Sequence, residues 1–130
     1  MQVETYTPAD VMTPIGPYSH IAKAGPFIQI SGTAGIDPAT GDFAGPDAYS
    51  QAKRIVESFA YMLSTVGADL GQVMHINVFL KHTEDFSEMN RAYAEVMGDH
   101  RPARTVVIVA DLPKPGARMT MNLMAVSKDS

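Results

Sequence analysis

The run Thr105-Val106-Val107-Ile108-Val109-Ala110 limits what this chain can become more than any other segment. A short apolar stretch this rich in β-branched residues reads as a strand covered on both faces. It opens on Arg101-Pro102-Ala103-Arg104, so a permanently cationic side chain stands at the mouth of the strand. A guanidinium presents five donors in a fixed planar fork, a shape that clamps a carboxylate or phosphate. For a lone arginine, pairing with one of the chain's own fourteen acids is the simpler reading.

The other elements follow from pattern. Pro14-Ile15-Gly16-Pro17 is a stiff, shaped loop. Alternation resumes from Tyr18 to Ala24, and Gly25-Pro26 turns the chain into Phe27-Ile28-Gln29-Ile30-Ser31. Asp37-Pro38-Ala39-Thr40-Gly41 is a turn in which the Asp side chain bonds the backbone two residues on. Asp47 caps a helix running to about Val66, with Ala52, Ile55, Phe59, Met62 and Leu63 on its buried stripe and Gly67 as the stop. Val73 to Lys81 is a strand in which Met74, Ile76, Val78 and Leu80 share one face. Thr83 caps a second helix ending near Gly98, its stripe carrying Phe86, Met89, Tyr93, Val96 and Met97. The strand after Arg104 and a last one, Arg118 to Val126, complete an α/β (α+β) sandwich with two helices.

Two helices cover one face of such a sheet and leave the other. That second face mixes Phe79 with His75 and Asn77, and Arg118, Thr120 and Asn122 line it on the last strand. A mixed face of this kind suits another subunit better than open water, so the chain is expected to be an obligate homo-oligomer. At 130 residues it is expected to form a single domain spanning 1–130. No apolar stretch is long enough to cross a bilayer, and the N-terminus lacks the pattern of a secretory signal. The absence of cysteine rules out thiol chemistry and is compatible with the cytoplasm, the expected location. A net charge of −4 argues against nucleic acid as a partner.

Ile15-Gly16-Pro17-Tyr18-Ser19, Ile30-Ser31-Gly32, Gly35-Ile36-Asp37-Pro38-Ala39-Thr40-Gly41, Val73-Met74-His75-Ile76-Asn77-Val78-Phe79-Leu80, Asp85 to Tyr93, Arg101 to Thr105 and Leu112-Pro113 occur in order from Pro14 to Val126. In that order and spacing the chain resembles the Rid family, the reactive-intermediate deaminases also called the YjgF family. The resemblance implies a chorismate-mutase-like fold, a six-stranded mixed sheet with two helices on one face, together with a homotrimer and ligand sites in the clefts between subunits. It also implies hydrolysis of small 2-imino or 2-enamino acids to 2-oxo acids and ammonia, with no metal or cofactor. Carried over by motif, Arg104 holds the substrate carboxylate. Ser31 and Gly32 lie against the ligand, and backbone groups near Thr105 bond it. Tyr18 is pocket wall or core filler, and Asn90 either braces a loop or meets the ligand.

The chain departs from the family in its last strand. Deaminating members commonly carry a glutamate there that activates water, and Thr120 stands in its place, with Asn122 the nearby alternative. Neither side chain takes a proton near neutrality, although either can hold a water. The resemblance therefore leaves three outcomes: a slow or specialised deaminase, a non-catalytic small-carboxylate-binding or regulatory protein, and a deaminase of an aminomuconate-type catabolic intermediate. His20 is a structural histidine before it is a substitute base. The four histidines show no zinc spacing, and Ser31-Gly32-Thr33-Ala34-Gly35 lacks the lysine of a phosphate loop. Some relatives have been described as ribonucleases or translation inhibitors, and the acidic balance here gives RNA binding no support.

Overall fold

The computed structural model describes residues 1–128. Asp47 begins the first helix, α1 (Ala48–Ser64), by accepting the backbone N–H of Ser50 through its carboxylate. Gly67, at φ +79°, takes the left-handed turn that carries the chain away from its end. Gly25, at φ +56°, and Pro26 form the two-residue link between strands β2 (Ile21–Ala24) and β3 (Phe27–Thr33). In the Asp37 turn the side chain accepts the N–H of Ala39 at 2.9 Å.

The remaining elements are β1 (Glu4–Tyr6), β4 (Val73–Leu80), α2 (Phe86–Met97), β5 (Ala103–Ile108) and β6 (Met119–Val126). They form a six-stranded mixed sheet in the order β1-β2-β3-β6-β4-β5, antiparallel except for the β4–β5 pair, which α2 connects. Met119, Met121, Leu123 and Ala125 of β6 and Ile76, Val78 and Leu80 of β4 point to the helices and are buried against Ile55, Phe59, Met62 and Met89. Gly35 is what lets the chain after β3 lie on α1: a Cβ there would stand 2.5 Å from the carbonyl oxygen of Gln51.

Four details differ from the sequence reading. Strand β1 has no expected counterpart, because three exposed residues carry no apolar periodicity. Thr83 does not cap α2: a short 3-10 turn, Thr83–Asp85, precedes the helix and no side chain closes its N-terminus. Met74 does not share a face with Ile76. The β4–β6 register shifts between Val73 and His75, so Val73 is buried and Met74 is 48% exposed. The apolar run after Arg104 lies at the sheet edge, and within the chain Val107 and Ile108 stay 41% and 49% exposed. Only Val106 packs against the core.

The Asp47 cap gives a pH-dependent expectation. The Ser50 amide and hydroxyl hold its carboxyl below the usual carboxylate range. A group whose pKa is depressed on folding stabilises above its unfolded pKa and loses that contribution as pH falls through the folded value. Asp47→Ala should cost about 1 kcal/mol near neutrality. In urea titrations the difference from wild type should shrink as pH falls below about 4.

Candidate active site

Neighbouring strands bring the expected site residues into register and also divide them. On the face away from the helices, Asn122, Asn77 and Thr105 form one cross-strand row, and Thr120, Phe79 and Val107 form the next. Asn77 Nδ2 donates to Asn122 Oδ1 at 2.8 Å, and His75 Nε2 lies 3.2 Å from Thr105 Oγ1. Arg104 shares its row with Ile76 and Leu123, both of which face the helices. Arg104 and Thr120 therefore stand on opposite faces of the sheet.

Around Thr120 lies a cavity of about 480 Å³, bounded by Met12, Ile15, Tyr18, Ser31, Gly32, Pro113 and Lys114. Its wall is mostly apolar and none of its lining side chains is acidic. Ser31 Oγ donates to the Ser19 carbonyl at 2.7 Å, fixing the link between the Tyr18 loop and β3. A Cβ built on Gly32 meets nothing within 4 Å, so the missing side chain leaves room for a ligand rather than for the chain itself. Below the Tyr18 ring His20 is fully buried, edge-on to it at 6.0 Å between centroids. Its Nε2 donates to the Met12 carbonyl at 2.5 Å, which anchors the loop, and its Nδ1 has no partner among the described residues.

The second group gathers on α2. Phe86, Asn90 and Tyr93 fall on one stripe at spacings of four and three, which places all three beside the start of β5. Arg104 Nη1 donates to Asn90 Oδ1 at 2.8 Å. Its guanidinium carbon lies 4.9 Å from the Tyr93 ring centroid and 5.9 Å from that of Phe86. Among the described residues no carboxylate pairs with it, whereas Arg54 and Arg118 each have one and Arg91 has two. An amide fixes the fork without neutralising it. Burial raises the Tyr93 phenol pKa, and the Arg104 and Arg101 cations partly oppose that.

Of the expected residues, Tyr18, Ser31, Gly32 and Thr120 therefore share one cavity and Asn90 and Arg104 another, while Thr105 and Asn122 occupy the polar row between strands. Sequence reasoning gave no role to Met12 and Lys114, which sit in loops without periodicity. It also missed the brace under Thr120. Arg118 Nη1 bonds both carboxylate oxygens of Asp85, at 3.0 and 3.2 Å, and Arg118 Nε donates to the Pro46 carbonyl. Gln51, fully buried on α1, accepts the Arg118 N–H and donates to the Gly45 and Gly116 carbonyls.

A family model described as endoribonuclease L-PSP matches residues 9–127. The chain belongs to the Rid (YjgF) family. A RutC family protein of Pyrococcus abyssi is 44% identical over 101 residues, covering 78% of this chain and 80% of that protein. The human 2-iminobutanoate/2-iminopropanoate deaminase is 32% identical over 112 residues, covering 86% of this chain and 81% of the human one. The crystal structure of a putative endoribonuclease L-PSP from Entamoeba histolytica superposes with a TM-score of 0.91 at 30% identity, covering 96% of this chain and 99% of that one. The Rid-type mixed sheet with two helices, expected from the motifs, is the fold observed.

The space at Gly32 separates binding from stability. Gly32→Ala should leave the unfolding free energy within about 0.5 kcal/mol of wild type. If the cavity takes the small 2-oxo acid that the family resemblance leads one to expect, the added methyl weakens binding of 2-oxobutyrate, followed by titration calorimetry, about tenfold.

Proposed function

We propose that the chain hydrolyses small 2-imino or 2-enamino acids to 2-oxo acids and ammonia, in clefts between the copies of a homotrimer. The observation that carries this reading is Arg104: a fork held by an amide, free of carboxylate partners among the described residues, at an open sheet edge. The division of the site residues between two faces supports an intersubunit location, since a second copy can bring one chain's Arg104 to another's Thr120 cavity. The exposed apolar side chains Phe27, Met74, Val107 and Met124 support assembly as well. The similarity to the human deaminase supports the reaction class.

In this reading Arg104 holds the substrate carboxylate by charge-assisted bonds and so orients C2. Thr120 holds a water against that carbon. The water oxygen bonds to C2 as the C=N electron pair moves to nitrogen, and nitrogen takes up the proton the water loses. The carbinolamine then gives its hydroxyl proton to nitrogen; the oxygen forms the C=O double bond as the C–N pair leaves with nitrogen, releasing ammonia and the 2-oxo acid with no change of oxidation state. Thr120 orients without accepting a proton, so the step lacks a general base, which is worth about two to four powers of ten in rate. Imines are labile enough for turnover to persist.

Arg104→Ala should lower kcat/KM for enzymatically generated iminopropanoate or iminobutanoate about hundredfold. Keto-acid release at equal rates by the two proteins would reject the reading. Thr120 is also the observation that favours the second reading, a carboxylate-binding protein without turnover. Thr120→Glu should raise kcat at least about a hundredfold. Wild-type protein that binds 2-oxobutyrate, yet releases keto acid no faster than buffer until Thr120→Glu is introduced, would establish the binding reading.

A further inference from the structure

The cavity beside Arg104 has a second arginine in its wall. It measures about 290 Å³ and is bounded by Asn90, Tyr93, Ala94, Arg101, Pro102 and Arg104. Arg101 is set by the loop between α2 and β5. Gly98, at φ +69°, ends the helix, and His100 Nε2 bonds the Val73 carbonyl at 2.8 Å, pinning the loop to β4. Arg101 Nη1 donates to the Gly98 and His100 carbonyls, which orients the guanidinium. Its Nε and Nη2 make no bond among the described residues, and no carboxylate pairs with it there. Both cations act on the same buried phenol, that of Tyr93.

We propose that Arg101 and Arg104 together select ligands bearing two acid groups, so that the substrate class is the 2-imino dicarboxylates. The inference rests on the reading of Arg104 as the carboxylate clamp and adds Arg101 as the residue that determines specificity. Two like charges held on one cavity wall repel each other, and a ligand with one carboxylate relieves that repulsion less than a ligand with two. The forks are preorganised, one by an amide and one by backbone carbonyls, so little rotamer freedom is lost when a second carboxylate binds. With no acidic side chain in the wall of the Thr120 cavity, the other half of the cleft adds nothing that repels a dianion.

Stable 2-oxo acids test this without relying on turnover. Titration calorimetry of the full chain with 2-oxobutyrate and 2-oxoglutarate should show the dicarboxylate binding at least about tenfold tighter. Arg101→Ala should cut that ratio about tenfold, and Arg101→Lys, which keeps the charge but not the fork, should leave an intermediate ratio. Equal affinities in the wild type overturn the proposal. So does a ratio that survives Arg101→Ala, or an Arg101→Ala variant in which both acids weaken alike. Arg104→Ala reports separately on the clamp: if it binds both acids as well as wild type, the underlying reading fails, while the Arg101 ratio still decides the specificity claim.

Discussion

A six-stranded sheet has two faces and this chain supplies helices for one. Every other feature of the molecule answers to that constraint. The helix side is filled by α1 and α2 over methionine, isoleucine and leucine side chains that alternate along β4 and β6. The opposite side carries Asn77 bonded to Asn122 between β4 and β6 and His75 bonded to Thr105 between β4 and β5, with exposed apolar residues around them. These cross-strand bonds lower the cost of burying that polar surface against another protein surface.

The same alternation decides where chemistry can sit. Neighbouring residues on a strand point to opposite faces, so Arg104 turns to the helices while Thr105 turns away. Arg104 leaves the core only because β5 is the last strand, and its guanidinium meets Asn90 and Tyr93 at the margin of the helix layer. Thr120 is held two strands away on the other surface. In the proposed assembly a cation and a hydroxyl placed in this way come together when the chain meets a copy of itself.

Local chemistry was legible in the sequence and register was not. Asp47, Gly67, the Asp37 turn and the Gly25-Pro26 hairpin each rest on contacts within a few residues, and each folds as its residue types require. The motifs identified the family because their order is specific. Met74 was misplaced because one irregularity between Val73 and His75 reverses the phase of the pairing, and no composition signals it. Thr83 lost its capping role to a tighter turn. The edge position of β5 depends on strand order, a property of the whole chain. Within the site, Asn90 and Arg104 were each visible but their bond was not, since it joins a helix to a strand across a loop.

Gln51 shows how the two layers communicate. Its amide reaches from α1 to three backbone groups, two of them in the segment that enters β6, with none of its polar atoms left for water. Repacking that shifts α1 would pass through Gln51 to the segment that enters β6, which makes α1 a tuning element for cavities whose walls it does not line.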